Sequence, residues 1–183
     1  MTPTENLMRE HSVINDLLTI MSTIAERIKS KSVFFTNDVE EIIDFLKNFI
    51  EKSHHEKEEF LFPILVNNPI SIEKEAINLM FYEHVLTRNY LKDIINCILN
   101  CKIGYTFSGD MLAESMSNYV ILEKNHIQKE INIFFPIADE YILEEEQKKI
   151  SERFVEIENL IEEHDFYNHY FRLMTELKNK YQN

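Results

Sequence analysis

Apolar residues recur at helical spacing in five segments of the chain, separated by sparse breakers. Leu7, Ile14, Leu17, Leu18, Met21, Ile24 and Ile28 stripe a first helix, capped by Thr4 and running to about Lys31, where the turn KSVFFTN ends it. Asn37 or Asp38 caps a second helix through about Val66, striped by Ile42, Ile43, Leu46, Phe49, Ile50, Leu61 and Leu65 and closed by NNPIS. Ser71 with Glu73 opens a third to about Lys102, carrying Ile77, Met80, Phe81, Leu91, Ile94, Ile95 and Ile98. Gly104 and Gly109 both fall in the next connection, and Ser108 or Asp110 starts a fourth helix through about Tyr141. After EEEQ, a fifth runs from about Gln147 to Lys180. Pro63 and Pro136 lie inside the second and fourth patterns, where a proline lacks the amide donor and crowds the preceding turn, so each is expected to kink its helix or end it early.

These segments and their short connections predict an all-α fold. Residues 1–143 form an antiparallel up-down-up-down four-helix bundle, and residues 144–183 an additional C-terminal helix packing on it. Two Gly, four Pro and 44% hydrophobic residues suit long helices better than sheets. The net charge of -13, with 19 Lys and Arg scattered among 32 acids, excludes the basic stripe that nucleic acid requires. No apolar stretch approaches the roughly 18 residues of a membrane span, and the N-terminus lacks a basic region followed by an apolar run; a soluble cytoplasmic protein is expected. Cys97 and Cys101, one turn apart, fit a reducing compartment and read as small buried hydrophobes rather than a redox pair.

The chain also repeats itself weakly with a period of 72 or 73 residues. REHSVINDLL at Arg9 matches YEHVLTRNYL at Tyr82, and HHEKEEFLFPI at His54 matches HIQKEINIFFPI at His126. Each half is one helix with a lone histidine followed by one helix with His-x-x-x-Glu. In an antiparallel pair, two residues share a level when the turn falls midway between them. His11 and His54 have their midpoint between Ser32 and Val33, His54 and His84 at Pro69, and His84 and His126 at Tyr105, each in a predicted turn. Four histidines on four consecutive helices therefore arrive at one level of the bundle.

Facing agrees with level. His11 shares a stripe with Leu7, Ile14 and Leu18, His84 with Met80, Phe81 and Leu91, and Glu130 with Phe134 and Ile137, while His54 and Glu58 continue the line of Leu46, Ile50, Leu61 and Leu65. An inward carboxylate is costly without a partner. Imidazoles and carboxylates converging in a low-dielectric core are the donor set of a first-row metal, and they point to His11, His54, Glu58, His84, His126 and Glu130. His55 and Glu59 form a second pair, rotated by about 100°. The repeat spacing belongs to His54, which places His55 around the site or at the surface. His164 and His169 lie outside the repeat and read as packing or surface residues, and Glu144 to Glu146 as a solvated helix start. Phe49, Phe62, Phe81, Phe134 and Phe135 are core at helical spacing and would keep any cavity beside the metals dry.

With its lone His, His-x-x-x-Glu, lone His and His-x-x-x-Glu on four helices, the sequence resembles the hemerythrin-like, HHE cation-binding family over about residues 1 to 141. HHEKEEFLFP, EHVLTR and HIQKEINIFFP are similar to that family's second-, third- and fourth-helix signatures. The resemblance implies two non-haem iron ions (Fe2+/Fe3+) in the bundle core, bridged by Glu58 and Glu130 with an oxo or hydroxo group. His11 and His54 would serve one iron, and His84 and His126 the other. Oxygen carriers of this family have a further histidine one turn after the third-helix ligand, where this chain has Arg88.

The leading function is therefore binding of O2 or NO at a di-iron centre, for sensing, storage or delivery, by a monomer or homodimer. An alternative is a di-iron oxidoreductase, such as a peroxidase, a NO-handling enzyme or an iron-donating repair protein, with Tyr119, Lys57 or His55 as proton source. Glu51-x-x-His54 and Glu123-x-x-His126, with Glu10 or Glu83, also fit a ferritin-like signature, but NNPIS is too short for that fold's long crossover. A helical interaction module without metal is the fourth reading; it predicts that mutating His54 or His126 alters stability alone.

Overall fold

The computed structural model describes residues 1–32, 34–66, 74–103, 108–161 and 166–181. Helix α1 spans Pro3–Lys29. A long second helix is continuous from α2 (Thr36–Phe45) through a π-helical stretch, π1 (Leu46–His55), into α3 (Glu56–Val66). Helix α4 spans Lys74–Lys102. The next helix likewise joins α5 (Ser108–Lys129), π2 (Glu130–Phe134) and α6 (Phe135–Tyr141), and α7 (Glu144–Asn159) and α8 (Phe166–Tyr181) follow. The fold is all-α, with no strand among the described residues. Helix α5 packs on both α1 and α4, and the second helix packs on α4 and α1, which closes a helical bundle.

The caps differ from expectation where side chains have other work. Thr2, not Thr4, caps α1: its hydroxyl accepts from the Glu5 amide, and Glu5 Oε2 accepts in return from the Thr2 amide at 2.8 Å, with Pro3 in the first turn. Thr4 instead donates to Asp139 and ties α1 to α6. Phe35 stands at the α2 N-cap without a side-chain bond, because Asp38 is committed to Lys180 and Tyr181 at the end of α8. Gly109 falls in the first turn of α5 rather than in the connection. The expected Ser71 and Glu73 cap, the NNPIS turn, Gly104, His164 and the midpoint positions Val33, Pro69 and Tyr105 lie outside the described residues.

Neither proline ends its helix early. Helix α3 runs through Pro63 to Val66, and Pro136 sits in the first turn of α6, just after π2, where the widened turn takes up the missing amide and the ring clash. The C-terminal helical segment comes in two pieces. Helix α7 buries Ile150, Phe154 and Ile157 against one end of the bundle, whereas α8 buries Tyr170, Leu173, Met174, Leu177 and Tyr181 against the other. One straight helix cannot cover both ends, so burial overrides local helix propensity.

Two apolar clusters fill the bundle. One contains α1 from Val13 to Ile28, the second helix from Val39 to Ile50, α4 from Leu91 to Ile98 and α5 from Leu112 to Ile127, with Cys97 buried in it. The other contains Leu7, Leu61, Phe62, Leu65, Ile77, Met80, Phe134, Phe135 and Ala138. Between them lies a layer of buried polar residues: Glu10 and His11, Ser53 to His55 with Lys57 and Glu58, Glu83, His84 and Thr87, and Glu123, His126 and Glu130.

Candidate metal centre

All six residues singled out by the repeat meet in this polar layer. His11, His54, Glu58 and Glu130 offer donor atoms within 4.8 Å of one another, and so do His55, Glu58, His84 and His126. Each is 2% exposed or less, so the whole group is sealed from solvent.

The two carboxylates face both groups. Glu58 Oε1 lies 2.8 Å from His54 Nε2 and 3.8 Å from His11 Nε2, while its Oε2 lies 3.2 Å from His84 Nε2 and 3.7 Å from His126 Nε2. Glu130 Oε2 lies 2.9 Å from His11 Nε2 and its Oε1 3.0 Å from His126 Nε2. Donors held about 2.1 Å from one ion at right angles sit about 3 Å apart. The donor set suits first-row metal cations.

Hydrogen bonding supports that fit. Among the described residues, the buried side-chain atoms without a hydrogen bond include both nitrogens of His11 and His55, His54 Nε2, and both oxygens of Glu58, Glu123 and Glu130. Native proteins leave few such atoms, and a cluster of buried imidazole nitrogens and carboxylate oxygens fits a site that takes a cation. The carboxylates and imidazoles also stabilise one another's charged forms. Burial resists the charge on Glu58, but His54, His11 and His126 hold its carboxyl well below the usual range. Burial likewise opposes protonation of His54, yet Glu58 and Glu10 push it up to about 10.

Behind the inward nitrogens stands a ring of carboxylates that orients them. Glu10 Oε2 accepts from His54 Nδ1 at 2.8 Å, Glu83 Oε2 from His126 Nδ1 at 2.9 Å, and Glu59 Oε1 from His84 Nδ1 at 3.1 Å. A carboxylate on Nδ1 fixes the tautomer, leaving Nε2 to the ion. Glu10 and Glu83 occupy equivalent places in the repeat, each immediately before a lone histidine and each reaching the histidine of the next helix. The duplicated Glu-His pair carried that signal. Aromatic rings close the site: Phe135 stacks on His11 with centroids 5.4 Å apart, and Phe62 and Phe81 pack at 6.4 and 6.3 Å from His84.

Of the two places expected for His55, around the site or at the surface, the surface is excluded: its side chain is fully buried with its ring stacked on His84 at 4.0 Å. The reason is π1, which ends at His55: its wider turn separates neighbouring residues by less than the α-helical 100°, so His54 and His55 both reach the interior. Glu59 is partly exposed and binds Arg88, and His169 is exposed on α8.

No curated protein and no solved structure matches the chain. A family model does, over residues 2–138, and its description is Hemerythrin HHE cation binding domain. Cation binding follows from that match together with the buried His and Glu groups, and the chain belongs to the hemerythrin HHE cation-binding family.

Proposed function

We propose that the protein holds two iron ions in its core and binds O2 or NO there, for sensing, storage or delivery. His11 and His54 serve one ion, His84 and His126 the other, and Glu58 and Glu130 bridge them. The observation that carries this reading is the division of each carboxylate: one oxygen of Glu58 faces His54 and the other His84, and one oxygen of Glu130 faces His11 and the other His126. When bound, the ferrous ions supply electrons and an open coordination position to a diatomic ligand. The chain supplies the rest. Glu10, Glu59 and Glu83 keep the imidazoles oriented, and Phe62, Phe81 and Phe135 exclude water from one side. Complete burial favours a small gas over an organic substrate.

The oxidoreductase alternative draws on one observation. Lys57 Nζ, fully buried, donates to Glu10 Oε1 at 2.5 Å, and Glu10 also lines a cleft of about 570 Å³ with Tyr167 and Glu158. These polar groups line the way from the cleft to the carboxylate on His54 and could serve as a proton source. Loading with Fe(II) under anaerobic conditions, counting iron per chain, and then adding NO or hydrogen peroxide tests both readings. Two retained irons with a NO-dependent spectrum that reverses when NO is removed support ligand binding. Consumption of many equivalents of NO or peroxide supports the oxidoreductase, and absence of retained iron overturns both.

A further inference from the structure

We infer that His55 is a ligand of the second metal, beside His84, His126 and Glu58, so that the second ion has three histidines and the first has two. This rests on the metal-centre reading above. His55 is treated by its surroundings as the other ligands are. The Nδ1 of His54, His84 and His126 each faces a carboxylate behind the site, and His55 Nδ1 likewise faces Glu51 Oε1 at 3.4 Å. Its ring is fully buried, its two nitrogens have no hydrogen bond, and it falls in one donor group with Glu58, His84 and His126.

Arg88 explains how the ring is held. It lies one turn after His84, and its Nε and guanidinium nitrogen donate at 2.6 Å to Glu51 and Glu59, the carboxylates that face His55 and His84. One cation therefore fixes the backing of two stacked imidazoles. On the inner side, His55 Nε2 lies 3.4 Å from Glu123 Oε1, and both Glu123 oxygens are buried without a hydrogen bond. A cation beside His55 is thus offered a further buried carboxylate, Glu123.

Anaerobic Fe(II) titration of the full chain tests this, with far-UV circular dichroism confirming helix content. The wild type is expected to bind two Fe(II), and His55→Gln to keep the first while its affinity for the second falls at least about tenfold. His55→Gly loses the second equally, and free imidazole restores it, which a residue acting only on the fold does not allow. Wild-type affinity for both ions in His55→Gln, or failure of imidazole to restore the second ion in folded His55→Gly, overturns the assignment. A wild type that binds no Fe(II), or a His54→Ala variant that keeps both ions, instead overturns the metal-centre reading beneath it.

Discussion

Glu10 on the first helix and Tyr167 on the last are joined by a hydrogen bond of 2.7 Å from the phenol to Oε1, while the other oxygen of Glu10 holds Nδ1 of His54. The C-terminal helices, which lie beyond the family match, therefore stand one carboxylate away from the centre. Lys57 draws the same elements together, donating to Asn6, Glu10 and Glu158. Tyr167→Phe removes one support of Glu10 and is expected to weaken metal binding at the His54 side about tenfold with the fold intact. Competition against a chelator reads that change, and unaltered affinity contradicts the coupling.

Lys57→Met tests the same network through stability. It leaves Glu10 and Glu158 facing each other without their shared cation, and breaking a buried pair in this way costs about 3–5 kcal/mol. Denaturant unfolding of the metal-free chain is the measurement.

Arg88→Ala frees Glu51 and Glu59 from their common partner. The expected result is a selective loss of affinity for the second ion, about tenfold, with the first unaffected. An equal loss at both ions contradicts the division of labour between the two sides.

Proton release gives a fourth expectation. His54 is held at about 10 and His55 at about 9, because their carboxylate partners outweigh burial, so both carry protons at neutral pH in the metal-free chain. Metal must displace them. Uptake at pH 7 should release protons into a weakly buffered indicator solution, and affinity should climb as pH rises toward 9 to 10. The same groups set the stability of the metal-free chain. Both histidines stabilise it fully below their ordinary value of 6.5, and that contribution fades as pH passes through 9 to 10. Glu59, which accepts from His84 and Arg88, and Glu123, where His55 outweighs burial, are both held down at about 2; they stabilise above 4.5 and lose that contribution as pH falls toward 2. Unfolding of the metal-free protein across pH reads both flanks, and metal loading should remove the alkaline decline.

Periodicity and the repeat anticipated the helices and the layer at which six residues meet. Levels and stripes depend only on helix rise and turn, which α1 and α4 keep. What they missed depends on departures from that regularity or on long-range partners. The π stretch that ends at His55 brings an extra side chain inward, and nothing in the local spacing of HHEKEE announces it. The duplicated Glu-His pair marks Glu10 and Glu83 but not their partners, and their role, like that of Glu59, appears only when a neighbouring helix brings an imidazole to them. The break before α8 has no glycine or proline to mark it, since it follows from covering two ends of one bundle.

Gas binding at the buried centre is tested most directly by the visible spectrum of the reduced, iron-loaded protein as O2 or NO is admitted and then withdrawn. Two irons per chain are expected, with an absorption band that appears with the gas, disappears on its removal, and is lost in Glu58→Ala, where both ions lose their shared carboxylate. A protein that retains no iron, or one whose Glu58→Ala variant keeps the same gas-dependent band, contradicts it.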